Sequence, residues 1–239
     1  MSHIPKKALI CYCPYARPDI NVPNIDQITE RGCSGQIALE MEPFVDSDQA
    51  VAQLLGLFGA IDIKSEFKQR FNDMSLAIVS NDIDTLRIAN LLGCHHEYIS
   101  TQLKIDQLPF DVIFVDFSGF DDQDAWNTMN TIMGQNSRLG AIQCVVSSSI
   151  ADGAENTQHW WDSIRPRQSH LTKNGRPLET VQEKTFIYSY LHLGSSRQDG
   201  ASTFTESDIR ANGCNGTILA WHLLAEVGHK LGHVPKYGA

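Results

Sequence analysis

The stretch Phe110-Asp-Val-Ile-Phe-Val-Asp-Phe117 constrains the fold more than any other part of the chain. It is β-branched, aromatic and nearly continuous in apolar character, so it reads as a strand covered on both faces. Ser118-Gly119 turns it into a helix over Asp121–Met133, whose acidic start suits the helix dipole. A second buried strand, Ala141–Ser147, follows. A strand, a helix and a further buried strand in succession point to a layered α/β architecture, with a mostly parallel or mixed central sheet covered by helices.

The rest of the chain extends this pattern. Lys7–Cys13 reads as a first strand, ended by Pro14 and a loop containing Pro18 and Pro23. Asp48–Ile61 carries Ala50, Val51, Leu54, Leu55 and Phe58 at helical spacing behind Asp46, Ser47 and Asp48 as caps. Leu76–Ser80 is a short apolar strand, and Asp82–Leu92 a helix that Gly93 stops. Residues 151–183 are polar, with Pro166, Pro177 and Asn174-Gly175, and read as an excursion. Thr185–Leu193 reads as a strand and Ile218–Leu231 as a strand or a helix. No linker divides the chain, so residues 1–239 are expected to form one domain with a polar insertion at about 151–200.

Charge and cysteine usage exclude several classes of function. The formal net charge of −9 disfavours nucleic acid and anionic membranes as partners. Lys6-Lys7 and Arg165-Pro166-Arg167 are the only dense basic runs, and both are short. None of the six cysteines forms a Cys-x-x-Cys pair, and several lie in apolar runs as buried free thiols do. With no secretory signal and no apolar stretch near roughly 18 residues, a reducing, cytoplasmic location is expected.

Catalytic motifs are missing more clearly than any is present. The chain has no phosphate-cradling Gly-x-x-x-x-Gly-Lys-Ser/Thr loop, no Gly-x-Gly-x-x-Gly and no Gly-x-Ser-x-Gly elbow. No cofactor is therefore expected. His222, His229 and His233 cluster near the C-terminus, and a helix would bring His229 and His233 onto one metal. Gly228 and Gly232 weaken such a helix and no acidic neighbour completes the zinc pattern, so no metal site is expected and these histidines read as solvent-facing, as does the pair His95-His96. Arg31-Gly-Cys-Ser-Gly35 and Asn212-Gly-Cys-Asn-Gly216 look alike. A racemase could use two such cysteines on opposite faces of a carbon, but Gly-Cys-x-Gly also makes a tight turn at an element end, and the surrounding residues favour the turn. Asp116 closes the central strand. It would be the phosphoacceptor if Ser75–Ser149 were a degenerate receiver, whereas a divergent S-adenosylmethionine-dependent methyltransferase would use Phe110–Asp116 as its fourth strand.

A resemblance spans the chain from end to end. Ala8-Leu9-Ile10, then Pro14 and Pro18, the short helix Ile25–Glu30, Gly32-Cys33-Ser34-Gly35-Gln36-Ile37 and Pro43-Phe44 resemble the opening of β-ketoacyl synthases of the thiolase superfamily. Asp116-Phe117-Ser118-Gly119 stands where that family has its Cys-x-x-Gly elbow. Arg210, Gly213, Gly216, Ile218-Leu219-Ala220 and Tyr237-Gly238 resemble the close of its first half. The resemblance implies a thiolase-like half-fold with Asp116 or Phe117 at the nucleophile position, neither of which forms a thioester. It implies no catalysis by the chain alone and a role resembling a chain length factor, the non-catalytic subunit that pairs with an active β-ketoacyl synthase. Polyketide or aryl polyene synthesis is the implied setting, with acyl carrier protein an indirect partner. Phe110, Val112, Ile113, Phe114, Val115, Phe117 and Phe120 would then line the tunnel or the partner interface.

Overall fold

The computed structural model describes residues 4–40, 49–57, 62–137, 140–149, 172–173, 176–177 and 181–235. In chain order, the elements begin with β1 (Ala8–Cys13), α1 (Pro23–Arg31), β2 (Cys33–Glu40), α2 (Gln49–Leu54) and α3 (Ile63–Phe71). β3 (Leu76–Ser80), α4 (Ile83–Leu92), β4 (His95–Glu97), β5 (Val112–Asp116), α5 (Asp122–Gln135) and β6 (Ile142–Ser148) follow. The last are β7 (Thr172–Lys173), β8 (Arg176–Pro177), β9 (Val181–Leu191), α6 (Glu206–Asn212), β10 (Thr217–Leu219) and α7 (Ala220–Leu231). Eight strands form the main sheet in the order β10-β2-β9-β6-β1-β5-β3-β4, and β7 pairs with β8 apart from it. β9 alone runs against its neighbours in the main sheet, antiparallel to both β2 and β6; the other pairings are parallel.

The sheet has an apolar layer on each face. Successive side chains of a strand point to opposite faces, so Ala8, Ile10, Val112 and Phe114 enter one layer with α2, α4 and α7. Leu9, Cys11, Ile113, Val115 and Phe117 enter the other, with α1, α5 and Ile209 of α6. β1, β3 and β5 are buried along their whole length, as the continuous apolar runs require.

Local chemistry sets the helix ends. The Asp82 side chain accepts a hydrogen bond from the Thr85 amide at the start of α4, and Gly93 ends that helix in the left-handed region at φ 68°. The helix expected over Asp48–Ile61 stops at Leu54, where the chain turns through Gly56 at φ 76°. Ile218–Leu231 divides into β10 and α7. Most of the excursion at 151–183 lies outside the described residues, whereas Val181–Leu191, inside the expected insertion, is a strand of the main sheet.

Candidate ligand-binding site

In open α/β sheets ligands collect at the carboxyl ends of the strands, where neighbouring connections leave toward opposite faces. Here that point falls between β3, which leads into α4 on one face, and β5, which leads into α5 on the other. The crevice is filled by the protein itself. Asp116, with no exposed surface, accepts hydrogen bonds from Ser80 Oγ at 2.8 Å, Ser118 Oγ at 2.6 Å and the Ser118 amide at 3.0 Å. Ser80 Oγ in turn accepts from the Asp82 amide at 2.9 Å. A Cβ on Gly119 would sit 2.8 Å from the carbonyl carbon of Asn81. Burial pushes the Asp116 carboxyl above its ordinary range, against the pull of the Ser118 hydrogen bonds. A phosphoacceptor must face solvent; Asp116 instead ties two strand ends together.

The residues expected at a tunnel or partner interface belong mainly to the interior. Val112, Ile113, Phe114, Val115 and Phe117 have no exposed surface and divide between the two apolar layers as strand alternation requires. Phe110 and Phe120 are partly buried against the same layer as Phe117, whose ring centroid lies 5.8 Å from that of Phe120. Phe117 is thus a core side chain, and Phe117→Ala should cost about 3–5 kcal/mol of stability.

The histidines do not converge. α7 ends at Leu231 and Gly232 leaves the helix at φ 87°, so His229 and His233 lose their helical spacing. His229 Nδ1 lies 3.1 Å from the Val234 carbonyl oxygen, while His233 Nε2 lies 3.6 Å from Asp111 Oδ2. His222, on α7, is partly buried, and burial together with the nearby Arg70 guanidinium holds its pKa down at about 4. The ring of His95 stacks on Phe110 at 4.9 Å.

The two Gly-Cys segments, by contrast, meet; the first is the start of β2 and not a tight turn. Cys33 Sγ and Cys214 Sγ are 3.2 Å apart, although 181 residues separate them. No substrate carbon fits between sulfurs at that distance, which removes the racemase reading. The other thiols are poor nucleophiles: burial raises Cys13 and Cys144 to about 12, Cys94 to about 11, and Cys11 well above its usual value.

An open cavity of about 270 Å³ lies beside the switch point, at the carboxyl ends of β1 and β6. Arg17, Ser148, Ile187, Thr205, Ser207 and Arg210 line it, with Ala16 and Glu206. Its walls are fixed from loops far apart in the chain. Arg17 grips Asp26 through its two terminal guanidinium nitrogens, at 2.5 and 3.0 Å, and donates to the carbonyls of Phe204 and Ile20 at 3.3 Å. Asp26 also accepts from the Phe204 amide at 2.8 Å, so one ion pair joins the loop after β1 to the loop before α6. Thr205 caps α6 by accepting from the Asp208 amide. Asp208 takes hydrogen bonds from the Ser202 and Thr203 amides and from Asn212. Partial burial works to raise its pKa, yet these bonds hold the carboxyl well below its ordinary range. Arg210 pairs with Glu206 one turn away at 3.3 Å. The result is a polar cup lined by two arginines, three hydroxyl-bearing residues and one glutamate.

Sequence reasoning left this cup unassigned. Its one legible signal was Thr205-Glu-Ser-Asp208, a helix-start pattern. Arg17 and Arg210 are 193 positions apart, and only the fold brings them to one wall.

No protein-family model matches the chain, and no curated protein matches it. Among solved structures, the PH0037 protein of Pyrococcus horikoshii aligns over 99% of this chain and 100% of its own, with a TM-score of 0.64 at 11% identity. That likeness shows a shared fold. A cofactor-independent phosphoglycerate mutase from Thermoplasma acidophilum aligns over 70% of this chain and 38% of its own, at 13% identity and a TM-score of 0.43. Among the described residues no helix is long and apolar enough to cross a membrane.

Proposed function

We propose that this protein binds a small anionic molecule, one bearing a carboxylate or phosphate group, in the cup at the carboxyl ends of β1 and β6. The observation that carries this reading is the cup itself, an open 270 Å³ cavity walled by Arg17, Arg210 and the hydroxyls of Ser148, Thr205 and Ser207. Guanidinium groups match the fork geometry of such anions, and hydroxyls supply further donors. Arg17 is committed to Asp26 and sets the shape of the wall; Arg210 meets the ligand. Binding without turnover is the simplest role, because Asp116 is sealed and the buried thiols are held protonated.

Thermal shift with inorganic phosphate and with citrate tests this. An anion at about 100 times its dissociation constant should stabilise the fold by about 2.7 kcal/mol. Arg210→Gln should abolish the shift while leaving the unliganded protein folded. No shift with either anion, or an equal one in the variant, would rule the site out.

A second reading keeps the chain as a non-catalytic, chain-length-factor-like partner of a β-ketoacyl synthase. It draws support from the strand, turn, helix and strand of β5, α5 and β6, with Asp116 where a nucleophile would stand. Because Val112–Val115 and Phe117 are interior, the contact surface would have to lie elsewhere on the chain. Co-expression with an intact β-ketoacyl synthase should yield a stable heterodimer; separate elution of the two chains would end this reading.

A further inference from the structure

We propose that Cys33 and Cys214 form a thiol pair that closes reversibly to a disulfide, joining the start of β2 to the loop between α6 and β10. This site is separate from the anion cup and does not depend on it. Both cysteines are free thiols in the structure, with Cys33 buried and Cys214 exposed. Their sulfurs stand 3.2 Å apart, and closure to the bonded length of about 2.05 Å is a short movement.

The approach is built into the backbone and does not rest on side-chain rotamers alone. The Ser34 carbonyl accepts from the Asn215 amide at 3.0 Å, and the Gly216 carbonyl accepts from the Gln36 amide at 2.8 Å. A Cβ on Gly213 would lie 2.9 Å from the Ser34 oxygen, and one on Gly35 would lie 2.7 Å from the Gly216 oxygen. Gly35 in β2 and Gly213 in the loop after α6 therefore let the two backbones press together. Asp199 Oδ2 accepts from the amides of both Ser34, at 2.6 Å, and Cys214, at 3.2 Å, while its Oδ1 accepts from Ala201 at 3.1 Å. One carboxylate thus fastens the residue after one cysteine to the other cysteine.

Cys33, Cys214 and Asp199 could also be taken for a metal site, since their ligand atoms lie within 4.8 Å of one another. The geometry favours the disulfide. Two thiolates on a tetrahedral zinc would stand about 3.8 Å apart, given Zn–S bonds near 2.3 Å, and these are closer. Asp199 is already occupied by three amides.

The chemistry closes with a small disulfide as oxidant. The exposed Cys214 thiolate attacks one sulfur of oxidised glutathione and expels a glutathione thiolate. Cys33 then gives up its proton to solvent, and its sulfur attacks Cys214 Sγ, expelling the second glutathione thiolate. Two protein thiols are oxidised, one glutathione disulfide is reduced, and the two protons released protonate the two leaving thiolates. Burial, then the hydrogen bond with Cys214, raises the Cys33 thiol to about 12, which assigns the first attack to Cys214.

The test treats the full-length native protein with oxidised glutathione, followed by peptide mapping under non-reducing conditions. The expected result is a cross-linked peptide joining Cys33 to Cys214, a mass loss of about 2 Da and full reversal by dithiothreitol. In Cys33→Ser the glutathione should instead remain bound to Cys214, because no second thiol is there to displace it. Glutathione retained on Cys214 of the unaltered protein, or no reaction at either cysteine, would overturn the proposal.

Discussion

A carboxylate with no exposed surface at neutral pH is costly unless its oxygens are satisfied, and Asp116 meets that condition through Ser80 and Ser118. Its pKa is raised by burial, so the folded chain holds this proton more tightly than the unfolded one does. The stability linked to this group is therefore full below the ordinary carboxylate range and falls as pH rises through the raised value. Asp116→Asn keeps an acceptor for Ser118 without a buried charge and should stay within about 1 kcal/mol of the parent at neutral pH, whereas Asp116→Ala strands three donors in a dry site and should lose about 1–3 kcal/mol. Urea denaturation compares them, and equal losses would show that the charge itself is needed. The position of Asp116 at a strand end was legible from the run that precedes it. Its role was not, because Ser80 reaches it from 36 positions away on another strand. The same distance effect hid the meaning of the two Gly-Cys segments, whose likeness was visible and whose contact was not.

Elements differ in how much of their cause is local. α4 was readable to its ends because Asp82 and Gly93 act within one turn of the helix. β2 was not, since Gly32-Cys-Ser-Gly35 reads as a turn. Ladders from β9 on one side and β10 on the other impose the strand, and pairing from distant segments overrides weak propensity. α7 owes its acid sensitivity to a neighbour of this kind. His222 lies beside Arg70 of α3, whose guanidinium donates to the carbonyls of Gly56 and Trp221 at 2.6 and 2.7 Å. With its pKa held at about 4, His222 stays neutral in the fold while the unfolded chain takes up a proton near pH 6.5. The associated stability is complete above that pH and is lost as pH falls toward 4, by about 1–2 kcal/mol once solvent screening of the partly exposed ring is allowed for. His222→Gln should flatten the pH dependence of the urea midpoint across this window. An unchanged slope would count against the assignment.

At the scale of the whole molecule, the class of fold followed from a few apolar runs, because strands buried on both faces admit few architectures. The strand order did not, since it depends on which distant strands pair. The edges of the main sheet are β4 and β10, each only three residues long, which limits further pairing with another chain. In the middle, β9 runs against its neighbours, and Phe186 pairs directly with Ser148. β6 ends at Ser148, and β9, the next strand of the main sheet along the chain, begins at Val181 right beside it in the sheet order. The cost of closing such a loop grows only logarithmically, at about 0.6 kcal/mol per doubling of length. Replacing residues 151–180 with a short Gly-Ser linker should therefore leave stability within about 1–2 kcal/mol by urea denaturation; loss of cooperative unfolding would show that the segment completes the core. The reversed strand thus makes the middle of the sheet a socket, where whole segments can be exchanged over evolutionary time, or by design, next to the cavity that Arg17 and Arg210 line and without reworking the strand order.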